Sequence, residues 1–292
     1  MSTARGHVAR SVKLRTQNDT TDSSIRGCTL GIMSANIFMR KVVCAILPRQ
    51  VTLSRRLRDG TLVSGPNRAG YGGRGAFIFG DEIEPELAAL DKLLRRGDVL
   101  IDVGANSGVY TLKGARIVGS DGVVLSLEPN PDLLAILKRN TGRNCLDNVR
   151  LRGLAAAEEC REFPFFEIDN KPNSFSLVSP GDGTATFSVL AVDLDSLVHW
   201  EGIDRVDVIK IDAEGVENRV LAGASEIIRE HQPVIIAEVH KKDLSALPDG
   251  YRSFQLSGSP NKLLIPQGHR LIADAAASGW ADVGDALTVK PV

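Results

Sequence analysis

The chain has 292 residues and a formal net charge of −1, long enough for one α/β domain with a full core and some additions. Its 43% apolar and 24% charged content is that of an ordinary globular protein, and the near-neutral balance removes the electrostatic case for a nucleic-acid partner. Cys28, Cys44, Cys145 and Cys160 are widely spaced with no C-x-x-C, which reads as free thiols in a reducing, cytoplasmic setting rather than a disulfide or zinc framework.

Residues 1–55 stand apart as a basic extension. They carry Arg5, Arg10, Lys13, Arg15, Arg26, Arg40, Lys41 and Arg49 against Asp19 and Asp22, with an early Ser/Thr/Arg-rich composition that favours disorder. Residues 37–47 are spaced for one short amphipathic helix, too short and too charged to span a bilayer. No apolar core of a secretory signal precedes it. The extension suits a disordered tail, a lid or dimerisation helix, or a peripheral membrane-surface anchor, and Met33 and Met39 are alternative starts.

From residue 56 to 292 the pattern is that of one domain. Thr61–Val63 opens an extended entry segment, and the glycine-rich stretch from Gly65 to Gly75 reads as a surface loop, since no Lys-Ser pair follows to make a phosphate loop. Leu87, Leu90, Leu93 and Leu94 predict a helix over 84–95. Strand, turn and helix follow in Val99-Leu100-Ile101-Asp102-Val103-Gly104-Ala105-Asn106-Ser107-Gly108-Val109, a nucleotide-binding corner whose free backbone N–H groups would face a ligand. A second strand, 123–127, ends in Glu128-Pro129-Asn130-Pro131, and Pro131 suits the first turn of a helix over 131–140. A third strand is predicted over 149–156. A hairpin-like insertion follows over 161–192, its polar loop at 169–174 suited to a flap. Strands at 208–212 and 233–239 come next, and the apolar runs 263–265, 270–272 and 286–289 suit antiparallel edge strands.

The turn indicates the ligand. A dinucleotide fingerprint needs a second glycine where this chain has Asn106, so a side chain stands where a pyrophosphate would approach. A smaller ligand with a charged amino-acid end fits better, with Asp102 and the turn holding that end and Glu128 pairing with ribose hydroxyls. These features favour S-adenosylmethionine over a nicotinamide cofactor.

Downstream lies Val208-Ile209-Lys210-Ile211-Asp212-Ala213-Glu214-Gly215-Val216-Glu217, then Pro233-Val234-Ile235-Ile236-Ala237-Glu238-Val239-His240. Together with D-V-G-A-N-S-G and L-E-P-N-P upstream, this ordered set over residues 60–240 resembles the FkbM family of methyltransferases. The resemblance implies a Rossmann-like class I methyltransferase fold, with a mostly parallel seven-stranded sheet and helices on both faces. It also implies methyl transfer from S-adenosylmethionine to a hydroxyl of a glycan, glycolipid or secondary metabolite.

Asp102, Gly104, Asn106, Gly108, Glu128 and Asn130 are the expected cofactor residues. His240, just past the fifth strand, is the leading general base, with Asp212 second and Glu214 beside it to orient the acceptor. Lys210, inside an apolar strand, needs a carboxylate partner, Asp212 or Glu214 being nearest; alternatively Asp212 caps the next helix and Lys210 merely satisfies it. Glu128 has a similar architectural alternative, as the acid before a helix N-terminus. Two carboxylates make a thin magnesium site, so no metal is expected. Two other classes compete: a catalytically silent cofactor-binding or scaffold protein, and a nicotinamide-dependent oxidoreductase, which would lack both the second glycine and a Tyr-x-x-x-Lys pair.

Overall fold

The computed structural model describes residues 29–31, 36–167, 175–177, 186–238, 250–275 and 278–285. In chain order the elements are β1 (Thr29–Gly31), α1 (Ile37–Ile46), β2 (Thr52–Arg56), β3 (Leu62–Pro66), α2 (Gly72–Phe79), α3 (Pro85–Leu93), β4 (Val99–Val103), α4 (Val109–Val118), β5 (Val123–Leu127) and α5 (Pro131–Arg143). Then come β6 (Val149–Arg152), β7 (Ala155–Ala156), β8 (Arg161–Glu167), β9 (Phe175–Ser176), β10 (Phe187–Val192), α6 (Leu194–Trp200), β11 (Val208–Ile211), α7 (Glu217–Ala222), α8 (Ser225–His231) and β12 (Val234–Ala237). The chain closes with β13 (Tyr251–Leu256), β14 (Lys262–Pro266), α9 (Leu271–Ala275) and β15 (Trp280–Asp285).

The main sheet has eight strands in the order β15-β13-β14-β12-β11-β4-β5-β6. β12, β11, β4, β5 and β6 pair in parallel, and β14, β13 and β15 add three antiparallel pairings at one side. The sheet is therefore mostly parallel as expected, with one strand more than seven. Alternation along the central strands explains the two apolar layers. Leu100, Val124, Val208 and Val234 pack with Leu87, Leu90 and Leu112 of α3 and α4. Ile101, Leu125, Ile209 and Ile235 pack with Leu194, Val220 and Ile228 of α6, α7 and α8. A four-stranded sheet, β7-β10-β8-β9, carries the expected insertion, whose loop at 169–174 lies outside the described residues.

Three local expectations change. The strand predicted over 149–156 splits at Gly153-Leu154 into β6 and β7, which join different sheets. The run Arg270-Leu271-Ile272 is not an edge strand: α9 begins at Leu271, and the edge is formed by Trp280–Asp285, while 286–289 lie outside the described residues. The glycine-rich stretch is a surface loop only over residues 67–71, between β3 and α2. From Gly72 it is the helix α2, and a Cβ at Gly73 would come within 2.6 Å of the Gly65 backbone on β3, so the glycines serve close helix-on-strand packing.

At the N-terminal side, α1 forms at residues 37–46, N-capped by the Asn36 side chain, which accepts from the Met39 N–H at 2.9 Å. The boundary drawn after residue 55 falls inside β2, and β1-β2-β3 form a small sheet against which α2 packs. Residues 1–28 lie outside the described residues. Among the described residues no helix is long and apolar enough to cross a membrane.

Two glycine substitutions separate packing from helix propensity. Gly73→Ala should lower unfolding stability by about 2 kcal/mol, because its methyl meets backbone that cannot move aside. Gly142→Ala, in α5 with nothing within 4 Å, should raise it by up to about 1 kcal/mol. Chemical denaturation of the two variants checks both signs.

Candidate active site

The central strands carry a polar row across an otherwise apolar sheet. Ser126 of β5, Asp102 of β4 and Lys210 of β11 are in register with one another and all but fully buried. Thr111, one turn into α4, drops its hydroxyl onto Asp102 at 2.5 Å and lies 2.9 Å from the Ser126 hydroxyl. Two residues further along the same strands come Glu128, Gly104 and Asp212, where the chain leaves the sheet.

Gly104 is the hinge of this upper row. Its φ is 75°, and a Cβ there would sit 2.0 Å from the Asp212 carbonyl oxygen, so only glycine lets the β11–α7 loop cross the β4–α4 turn. Asn106 also occupies the left-handed region at φ 52°, a conformation asparagine tolerates better than most residues.

The N–H groups of the turn do not face a ligand. Those of Gly104 and Ala105 donate to the Leu127 carbonyl, that of Asn106 to Glu128, that of Ser107 to the Asn106 side chain and that of Gly108 to Ala105. The expected cradle of free donors is therefore absent from this turn, because the protein uses those donors itself. A pyrophosphate finds no donors at residues 104–108, an argument against a dinucleotide that is independent of the missing second glycine.

Glu128 is buried at 5% exposure and bonds two turns at once, accepting the Asn106 N–H at 2.7 Å and the Asn130 N–H at 2.9 Å. Burial pushes its carboxyl up to about 7, against the opposing effect of those two bonds. It does not cap α5. That task falls to Asn130, whose side chain accepts from the Asp132 and Leu133 N–H groups. Asn130 thus spends its side chain on the cap and lines neither of the two clefts that meet at Gly104. Gly108 lines neither cleft; its φ of 90° and its contact with Leu137 make it a packing residue beneath α5.

Asn106 spends its amide within the protein. Its Oδ1 accepts from the Gly72 N–H, the Ser107 N–H and the Ser107 hydroxyl, and its Nδ2 donates to the Gly70 carbonyl at 2.9 Å. It clamps the start of α2 over the turn.

Two clefts meet at Gly104. One is walled by Pro129, Leu133, Leu154, Ala155 and Phe165, with Glu128 at its side and Asp212 and Glu214 at its mouth. The other lies between the 68–75 segment and the strand ends, and is lined by Arg74, Glu84, Asp102, Tyr110, Lys210 and Asp212 among others. In the second cleft the Lys210 ammonium stands 3.7 Å from Asp212 and 5.2 Å from the centre of the Tyr110 ring. Burial alone would lower its pKa. Asp212, Glu84, Asp102 and Glu86 outweigh burial and hold it above its ordinary value. The partner anticipated for Lys210 is Asp212, and Asp212 does not cap the next helix: Glu217 closes that loop by accepting the Ala213 and Gly215 N–H groups. Glu214, at φ 50°, is half-buried and lines both clefts. His240 lies outside the described residues.

Glu84 and Tyr110 escaped the sequence reading. The Tyr110 hydroxyl donates to Glu84 at 2.5 Å, and burial raises the Glu84 carboxyl. Before Pro85, Glu84 reads only as an acid at a helix start, and Tyr110 only as one apolar position of α4. Their meeting depends on α3 packing on α4. Among the described residues no group of three His, Cys, Asp or Glu side chains is placed to hold a metal ion.

The model of the methyltransferase FkbM domain matches residues 102–255, more than half of the chain. The chain belongs to this family. Over 154 residues it is 31% identical to the hexuronic acid methyltransferase AglP of Haloferax volcanii, which covers 51% of this chain and 61% of that protein. Over 179 residues it is 27% identical to the 31-O-demethyl-FK506 methyltransferase FkbM of Streptomyces tacrolimicus, covering 51% of this chain and 68% of that one. The crystal structure of methyltransferase FkbM from Methylobacillus flagellatus superposes with a TM-score of 0.42 at 20% identity, over 65% of this chain and 53% of that chain. The chain thus spans less than two thirds of the first of these relatives. Of the second cleft, Arg74 and Glu84 precede the family match, whereas Asp102, Tyr110, Lys210 and Asp212 fall within it.

The buried carboxylates give the site a pH signature. Burial raises Asp102 from 3.8 to about 6, so between those values the folded protein holds a proton that the unfolded chain has released. Stability from this group is complete below about pH 4 and falls as pH rises to about 6, by up to about 3 kcal/mol. Asp102→Asn keeps an acceptor for Thr111 and removes the titration. Melting temperature measured from pH 4 to pH 7 should therefore decline less steeply in the variant than in the parent, and parallel curves would contradict the assignment.

Proposed function

We propose that this chain is an S-adenosylmethionine-dependent O-methyltransferase acting on a hydroxyl of a glycan, glycolipid or secondary metabolite. The observation that carries the reading is the meeting of two clefts at Gly104, one flanked by the buried Glu128 and the other by Asp102, Asp212 and Lys210. Family membership supports methyl transfer, and the names of the relatives, a hexuronic acid methyltransferase and an FK506 methyltransferase, support acceptors of sugar-acid or metabolite type.

The residues present fit the methyl donor. Burial raises the carboxyls of Glu128 and Asp102, to about 7 and about 6, and hydroxyl donors and a cationic group would stabilise their charged forms. Glu128 then takes the ribose hydroxyls, and Pro129, Leu133, Leu154 and Ala155 offer a flat apolar bed for the adenine. Asp102 stands on the side of the amino-acid end. When bound, the cofactor supplies a methyl group on positively charged sulfur, already activated toward an attacking oxygen.

What remains for the chain is to align the acceptor and take its proton. Alignment removes the entropy of the encounter, and a positioned base adds roughly 10²–10⁴-fold. Asp212 is half exposed at the junction of the clefts and fixed by Lys210, and it accepts the hydroxyl proton as the new O–C bond forms. His240, which follows β12 in the chain, is the second group proposed for that proton. Glu84, already accepting from Tyr110, orients the opposite wall.

Calorimetric titration with S-adenosylhomocysteine tests the cofactor assignment. The parent should bind at micromolar strength, about −8 kcal/mol, and Glu128→Ala should lose at least about tenfold. Binding of a nicotinamide dinucleotide instead would contradict the proposal, and folded protein that binds neither ligand would favour a scaffold. Asp212→Asn should retain S-adenosylhomocysteine within a few-fold. On sugar-acid or polyketide acceptors, transfer of labelled methyl by this variant should fall by roughly 10²-fold or more.

A further inference from the structure

Helix α1 is apolar on its outward side as well as on the inner side that packs Val43 and Cys44 against Leu53, Phe77 and Ile78. Its charged Arg40 is buried together with Cys44, while Phe38 is 71% exposed, Ile46 76% and Met39 49%. At 100° per residue Phe38, Met39, Val42, Ala45 and Ile46 share the outward side, where Lys41 is the single charge. Beside this face lies a cleft lined by Phe38, Arg40, Arg55, Arg56, Arg58 and Phe79, with Asp81 and Glu82 at its edge. Both acids are already engaged by Arg58, through its backbone N–H and its guanidinium. Arg55 donates to carbonyls at the end of α2. Arg40, only 8% exposed, gives one nitrogen to the Ile78 carbonyl and leaves Nε with no partner among the described residues. Residues 1–58 carry eleven Arg or Lys against two Asp in a chain whose net charge is −1, so positive charge is concentrated at this end.

An apolar helix face bordered by cations is the chemistry of an interfacial helix on an anionic bilayer. We infer that α1 docks on an anionic lipid surface, with Phe38, Met39 and Ile46 entering the acyl boundary and the arginine-lined cleft receiving a lipid phosphate. A second copy of the chain is a poorer occupant, since a two-fold contact through this face would set one arginine cluster near its own image. α2 connects this face to the candidate active site. Phe79 at its C-terminal end lines the arginine cleft, and Gly72 at its N-terminal end lines the second cleft of the candidate active site, about 10 Å away along the helix. The docking inference stands independently of the methyltransferase reading.

Co-sedimentation of the full chain with vesicles tests it. Phosphatidylcholine vesicles containing about a third phosphatidylglycerol should retain about tenfold more protein than pure phosphatidylcholine, and added salt should release it. The double variant Phe38→Ser/Ile46→Ser should lose about tenfold of that binding while keeping the parent's melting temperature and its affinity for S-adenosylhomocysteine, because both side chains are exposed and line neither cleft of the candidate active site. Equal recovery from neutral and anionic vesicles, or binding that the double variant leaves unchanged, overturns the inference. So does a dimer in gel filtration that the double variant converts to monomer, which assigns the face to a second copy, or binding of inorganic phosphate without binding of vesicles.

Discussion

A charged row inside a parallel sheet governs this structure. Ser126, Asp102 and Lys210 stand side by side on adjacent strands, with α4 covering them, where desolvation disfavours every isolated charge. Lys210 stays charged because four carboxylates lie around it, and they come from three separate segments: Asp212 from its own strand end, Asp102 from β4, Glu84 and Glu86 from the start of α3. Thr111 and Ser126 complete the hydrogen bonding of Asp102. The row therefore fixes how α3, α4 and the ends of β4 and β11 sit together. The two clefts open directly above it.

Backbone constraints finish the geometry. The absence of a side chain at Gly104 lets the Asp212 backbone lie over the β4–α4 turn, and Glu128 joins that turn to the one after β5. With the donors of residues 104–108 bonded internally, this corner presents carboxylates to the clefts and not a cradle of amides. That distinguishes it from a dinucleotide corner built on the same strand–turn–helix plan.

Much of this was legible in the residue pattern, for identifiable reasons. β-branched runs alternating with helical spacing located β4, β5, β11 and β12, and Pro131 marked the start of α5. The acids Asp102, Glu128 and Asp212 were visible because each interrupts or ends an apolar strand. Long-range packing was not legible. Gly65 and Gly73 read as a loop because their mutual approach joins β3 to α2 across the small sheet, which no local signal reports. Asn106, Gly108 and Asn130 were expected at the ligand; their side chains or conformations clamp, pack and cap, and of the three Asn106 lines both clefts. Glu84 and Tyr110 come together only when α3 folds onto α4. The family match begins at Asp102, so the wall contributed by residues 68–84 lies outside it.

Under the proposed function one ligand bridges the two clefts across Gly104. A crystal structure with S-adenosylhomocysteine bound tests it most directly. The expected result is the ribose against Glu128, the adenine among Pro129, Leu133 and Leu154, and the amino-acid end beyond Gly104, beside Asp102. A ligand confined to one cleft, or seated away from Glu128, would contradict it.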